Sequence, residues 1–332
     1  MSNQTSVPQA HLSTHFQQNR QTLDQILQID QSFDLLVKPL QIGGRQAALY
    51  FIDGFIKDEV MEKILEVLTG VGEEAFAELN GAEAFAAQFV TYVETDVKNR
   101  FDEITTDLLA GTACLLVDGY DQAILIDARS YPARSVEEPE ADKVLRGSHD
   151  GFTETIVQNT ALIRRRIRDV NLRVEISRIG GKSKTDVVLC YMANKVNREM
   201  LREVQQKLAH LKPDAFTMAQ ESLSEALFKP KWYNPFPKIR YSERPDTVSA
   251  NILEGKIVLI IDNSSSVMIL PSYLLDFIQD SNDYYFSPVV GTYLRLVRVL
   301  VFFATLILIP VWFLLIQNPD MIPSWLDFIK IE

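Results

Sequence analysis

Between Leu296 and Ile316 the chain reads LVRVLVFFATLILIPVWFLLI, and the eighteen residues from Val299 to Ile316 carry no charge. At about 1.5 Å per residue, with the flanking turn added, that run spans a hydrocarbon layer of roughly 30 Å. Only a helix or a closed barrel satisfies its backbone in lipid, so the run predicts one transmembrane helix over 296–316. The alternative is a buried helix of a soluble core, but such segments seldom stay uncharged for so long. Arg295 and Arg298 precede the apolar run, whereas Asp320 and Asp327 follow it, with Lys330 further out. Basic flanks stay on the cytoplasmic side, which places residues before the helix in the cytoplasm and a short 317–332 tail outside. Trp312 and Trp325 suit the outer interface, and Pro310 removes one helical hydrogen bond within the lipid. Met1 to Gln31 is polar, holds eight glutamines and does not read as a signal peptide.

The 295 or so residues before the span suffice for two ordinary domains. A net charge of −11 argues against nucleic acid as a partner. Cys114 and Cys190 sit in apolar, strand-like runs and read as buried free thiols of a reducing compartment. His11, His15, His149 and His210 are scattered, no CxxC pair occurs, and neither a metal site nor a cofactor is expected.

Two stretches share one plan. Residues 1–40 read as a mobile arm with a short helix near Leu23, Ile26 and Leu27. Ala47–Ile52 then predicts a strand, and Asp58 caps a helix with Val60, Met61, Ile64, Leu65 and Leu68 on one side, after which a more irregular helical region follows. Cys114–Val117 and Ala123–Ile126 flank Asp118-Gly119-Tyr120-Asp121 as a hairpin. Further on, Val187–Met192 predicts a strand, Asn197 starts a helix carrying Met200, Leu201, Val204 and Leu208, and Ile257–Ile261 pairs with Val267–Leu270. Strand start and hairpin start lie 66 residues apart in the first case (Ala48, Cys114) and 70 in the second (Val187, Ile257). The expected fold class is therefore α/β: two related α/β subdomains, 41–130 and 170–290, followed by the transmembrane helix. Coincidence between two common α/β arrangements is the competing explanation. Between the subdomains, 131–169 reads as a Pro- and Glu-rich linker followed by an arginine-rich helix from Gly151 to Ile167. Lys229–Pro245, with four prolines, reads as extended chain.

Gly180-Gly181-Lys182-Ser183-Lys184-Thr185 has the flavour of a phosphate loop, but Ile176 stands where that pattern needs glycine. The flanking LRVEISRI and DVVLCYM instead read as two arms of a hairpin. Arg164-Arg165-Arg166-Ile167-Arg168 is the sharpest charge feature. From Ala161 to Thr185 eight basic residues face only two acids, Asp169 and Glu175. Consecutive arginines on a helix fan out to several partners. Arg164, Arg165, Arg166 and Arg168 are thus candidate contacts to a neighbouring chain or to anionic headgroups, with Arg295 and Arg298 as membrane flank. A solvated face with internal ion pairs is the plainer reading of the run. No GxSxG, HExxH or Cys–His arrangement occurs, so no catalytic residue is nominated and the chain is not read as an enzyme.

Several long strings resemble one family. They are ALYFIDGFIKDEVM (48–61), DARSYPARSVEEPEADKVLRGSHDGFTETIVQNTALIRRRIRD (127–169), GGKSKTDV (180–187), NPFPKIRYSERPD (234–246) and ILEGKIVLIIDNSSSVMILP (252–271). The chain resembles the A-subunit family of bacterial spore germinant receptors. The first string and YPARSVEEP point to a branch other than the nutrient-sensing A subunits. The resemblance implies a non-enzymatic membrane subunit of a germination assembly, in the spore inner membrane, with its N-terminal region facing the spore core. It further implies a homo-oligomer, a small membrane partner protein, other germination proteins as partners, and a part in cation release or in amplifying the germination response. The resemblance implies several more membrane helices after the first, so a chain ending at Glu332 is expected either to be truncated or split or to need other subunits to complete its membrane part. Two other readings stand beside this one: a membrane-tethered scaffold without transport, and a small-molecule sensor with its site between the subdomains.

Overall fold

The computed structural model describes residues 10–79, 81–90, 94–131, 150–180, 184–211, 219–228, 238–273, 276 and 287–318. They fall into two units, one comprising both α/β halves and one comprising the C-terminal helix.

The first half runs α1 (Phe16–Leu27), a 3-10 turn (Ile29–Gln31), β1 (Leu35–Ile42), β2 (Arg45–Ile52), α2 (Asp58–Thr69), α3 (Glu73–Glu78), α4 (Ala82–Phe89), β3 (Thr95–Lys98), α5 (Phe101–Leu109), β4 (Ala113–Val117) and β5 (Ala123–Ile126). The second runs α6 (Ile156–Arg166), β6 (Leu172–Ile179), β7 (Thr185–Met192), α7 (Arg198–His210), α8 (Ala219–Leu227), β8 (Arg240–Ser242), α9 (Pro245–Leu253), β9 (Ile257–Ile261) and β10 (Val267–Leu270). Each half builds one antiparallel sheet. Strand order is β1-β2-β4-β5-β3 in the first and β6-β7-β9-β10-β8 in the second, the same order once the strands are matched by position.

Continuous apolar runs make the central strands because both faces of each sheet are covered. In β4, Cys114 and Leu116 enter the core beneath α1 and α5, while Ala113, Leu115 and Val117 enter the core beneath α2 to α4. In β9, Val258 and Ile260 face α6 and α9, and Ile257, Leu259 and Ile261 face α7 and α8. The period of two splits one apolar string between two cores.

The likeness of the halves extends to single hydrogen bonds. Phe16 and Ile156 open α1 and α6, and Arg45 and Thr185 open β2 and β7, each pair 140 residues apart; Phe101 and Pro245 open α5 and α9, 144 apart. Before α1, Asn19 accepts from the Ser13 N–H at 2.9 Å and donates to the Ser13 carbonyl. Before α6, Asn159 accepts from the Thr153 N–H at 2.7 Å and donates to the Thr153 carbonyl. Arg100 forks onto Asp102 at 3.0 and 2.6 Å, and Arg244 onto Asp246 at 3.1 and 2.6 Å. Gly111 and Gly255 end α5 and α9 with φ of +106° and +97°, a left-handed stop that a side chain would strain.

Several expectations are revised. The short helix expected near Leu23, Ile26 and Leu27 is α1, but it packs into the core through Phe16, Leu23 and Leu27, and β1 begins at Leu35. Pro39 marks β1 as an edge strand, where a missing N–H costs no ladder bond. The arginine-rich helix starts at Ile156 rather than Gly151, because the Thr153–Asn159 knot fixes where it begins. Pro245 does not continue extended chain but opens α9, where its fixed φ suits the first turn. Asp58 is the first residue of α2, with Lys57 as the cap, whereas Asn197 caps α7 through the N–H groups of Glu199 and Met200. The sequence 132–149, the turn residues 181–183, the prolines between 229 and 237 and the tail from 319 lie outside the described residues.

The second unit holds α10 (Pro288–Gln317), thirty residues or about 45 Å of helix. Residues Val289–Gln317 form a candidate membrane span whose most apolar eighteen-residue stretch is unburied. Pro310 is carried inside the helix.

Candidate functional site: the seam between the halves

Of the residues nominated from the arginine run, Arg164 and Arg165 reach the first half across the seam where the second half meets it. The chain leaving α1 crosses over as Ile29–Asp34. Ser32 forms a parallel bridge with Val174 on β6, and the Phe33 N–H donates to the Val174 carbonyl at 3.0 Å. Phe33 packs against the core of the second half, and Val170 against the core of the first. Arg173 Nε donates to Gln31 Oε1 at 2.9 Å.

Helix α6 belongs to the second half but turns one face to the first. Ala161 joins the first half's core. Gly54, at φ +80°, lies so close that an added Cβ would sit 3.0 Å from Val157 Cγ1 and 3.3 Å from Ala161 Cβ. Next along that face, Arg164 places Nε 2.7 Å and Nη2 3.0 Å from the two carboxylate oxygens of Asp34. Both side chains are buried, at 0% and 1% exposure. Arg164 Nη1 has no hydrogen-bond partner among the described residues.

The other arginines fan out as helical geometry requires. Arg165 sets its guanidinium 4.5 Å from the Tyr131 ring centre, and Tyr131 meets the Phe55 ring edge-on at 5.2 Å. Arg166 binds Asp150 at 2.9 Å and the Leu162 carbonyl at 3.1 Å. Arg168 is exposed and donates to the Arg165 carbonyl at 3.4 Å. Arg295 and Arg298 lie in the first half of α10, ahead of the uncharged run. Asp34 carries the countercharge at this seam, and sequence reasoning missed it. Its only signal was a lone acid ahead of β1, 130 residues from its partner.

Burial tunes neighbouring groups. Asp53 donates its N–H to the Asp34 carbonyl at 2.8 Å, and burial, helped by Asp34 and Asp58, raises its carboxyl above the usual range. Asp127 is held below that range by its bond to Arg129. Cys114 and Cys190 are free and buried, and burial pushes the Cys114 thiol up to about 12 and raises the Cys190 thiol as well. Neither thiol is poised as a nucleophile. Among the described residues no His, Cys, Asp or Glu group is arranged to hold a metal ion. A groove of about 220 Å³ opens between α2 and the end of α4, lined by Val60, Ile64, Val67 and Phe89 with Lys63 as its charged member.

Residues 21–332 match the Bacillus/Clostridium GerA spore germination protein family, to which the chain belongs. Among individual relatives, it is 36% identical over 308 residues to stage V sporulation protein AF of Bacillus subtilis (strain 168), covering 91% of this chain and 61% of that protein. Spore germination protein KA of the same organism is 29% identical over 84% of this chain and 52% of its own length. The chain thus spans about half to three fifths of the curated relatives it matches. In fold it matches the N-terminal domain of the A subunit of the Bacillus megaterium spore germinant receptor GerK3. The TM-score is 0.60 at 23% identity, with 80% of this chain and 98% of that domain covered.

Proposed function

We propose that this chain is the soluble region and a membrane-crossing helix of a germination subunit. In this reading the subunit sits in the spore inner membrane, with the duplicated unit on the cytoplasmic side. It contributes to cation release or amplifies the germination response, without catalysing a reaction. The family match over nearly the whole chain carries the reading. Arg295 and Arg298 before the uncharged run support the orientation. The partners are the bilayer, further copies of the chain, a small membrane protein and other germination proteins. Arg168, exposed at the end of the arginine run, is the residue of that run best placed to meet a neighbouring chain or an anionic headgroup, with Arg165 beside it.

The test is potassium efflux from liposomes carrying the intact chain, alone and with co-purified membrane partners. Efflux in either arm supports a part in ion release. Silence in both, with the protein correctly inserted, favours a second reading, a membrane-tethered scaffold. That reading draws on one observation: a single helix among the described residues is long and apolar enough to cross. In parallel, Arg168→Glu is expected to reduce oligomer size in detergent. An unchanged size would remove Arg168 from the contact surface.

A further inference from the structure

We propose that the Asp34–Arg164 pair is a latch that holds the two halves together as one body, and that the seam it closes is where the soluble unit opens. The rest of the seam is mostly apolar and close-packed: Ala161 in the first half's core, Phe33 in the second's, Gly54 against Val157. Apolar contact is non-directional and tolerates sliding. A bidentate guanidinium–carboxylate contact does not. Its two bonds, at 2.7 and 3.0 Å, fix one relative orientation of α6 and the chain entering β1.

Because both groups are fully buried, any rotation that lengthens the pair leaves two desolvated charges apart, a steep penalty until water enters. The pair is not built for maximal stability, since Arg164 Nη1 is buried without a partner among the described residues. Buried ion pairs of that kind serve orientation better than stability. The duplication points the same way. The position of Arg164 in α6 corresponds to Asp24 in α1, which lies partly exposed and accepts a bond from Tyr50 inside its own half. The basic side chain is peculiar to the copy that faces a seam.

The chain carries its own reporter. Cys190 pairs with Val174, the residue that receives the crossing segment, and lies close enough to Asp34 and Arg164 to feel both charges. Cys114 pairs with Tyr50 in the first half. Both thiols are buried. The experiment is alkylation of the intact, detergent-solubilised chain with N-ethylmaleimide, read cysteine by cysteine by mass spectrometry. In the wild type both should react slowly. Arg164→Met should raise the Cys190 rate by about tenfold or more and leave Cys114 slow, the mark of local rather than global opening.

Should that variant unfold, exposing both thiols alike, the paired replacement Asp34→Leu with Arg164→Met decides, because it leaves no unpaired buried charge. A folded double variant with Cys190 faster than wild type and Cys114 unchanged supports the latch. If Cys190 stays as protected as in the wild type in either folded variant, the pair does not hold the seam and the proposal falls. The outcome does not depend on whether the chain takes part in ion release.

Discussion

Helices α1 and α6 occupy the same slot in the two halves, begin at the same asparagine knot and bury their cores alike. They part on one face. In α1 that face carries Gln17, Gln21, Asp24 and Gln25, exposed but for the half-exposed Asp24; in α6 the matching residues are Val157, Ala161, Arg164 and Arg165, buried or half-buried. The edge strands diverge in the same way. Leu36 on β1 is 36% exposed, whereas Arg173, its counterpart on β6, is 7% exposed beneath the crossing chain. The two halves share the sheet order and the knots, and their residues differ where one half meets the other. Shared features therefore report on folding, and unshared ones on how the halves are joined.

The largest effect should come from breaking the unshared ion pair. Arg164→Ala strands Asp34 in a buried site and is expected to cost about 3–5 kcal/mol. Asp24→Ala, at the matching position, loses the bond from Tyr50 and a partly exposed ion pair with Arg20, and should cost about 1–2 kcal/mol. Chemical denaturation of both variants checks the ratio, and equal costs would erase the distinction.

Gly54→Ala should cost about 1–3 kcal/mol, because its φ of +80° and its contact with Val157 both oppose a side chain. Its counterpart Asn194 has a buried Oδ1 without a partner among the described residues, so Asn194→Ala should be neutral or slightly stabilising. Thermal melts of the pair read opposite signs if the seam lies only on the Gly54 side.

A shared feature should respond equally. Asn19→Ala and Asn159→Ala each undo a knot of the same design and should each cost about 1–2 kcal/mol, equal within about 0.5 kcal/mol. A marked inequality would mean that the two knots differ in weight despite matching bonds.

The smallest effect is a pH dependence. Burial raises the Asp53 carboxyl in the folded chain, so its ionised form opposes folding above that raised value, and the opposition fades as pH falls through it towards the ordinary 3.8. Asp53→Asn should therefore raise the melting temperature slightly at pH 7 and lose the gain near pH 4. The second half carries Ala193 at this position, where no such dependence can arise.

Much of this was legible in the chain itself. β2, β4, β5, β7, β9 and β10 announce themselves as apolar runs, because strands buried on both faces need no alternation. The 66- and 70-residue spacings carried the related plan. β1, β3 and β8 were not legible: they are edge strands with polar or proline residues, and tertiary pairing rather than propensity fixes them. α9 was missed because it follows a proline-rich stretch and an arginine that forks onto an acid in its first turn, a bond invisible without coordinates. The arginine run was conspicuous, but its direction was not. A burst of like charge reads as surface, and only the fold brings Asp34 to it from 130 residues away.

Central to the proposed function is a duplicated unit carried by a candidate membrane-crossing helix. The most direct test uses intact cells producing the chain with Gln206→Cys, an exposed site on α7. Membranes are washed with alkaline carbonate and labelled with an impermeant maleimide before and after permeabilisation. The expected result is a chain that stays with the membrane and labels only after permeabilisation. Recovery of the chain in the carbonate supernatant, or labelling in sealed cells, would contradict it.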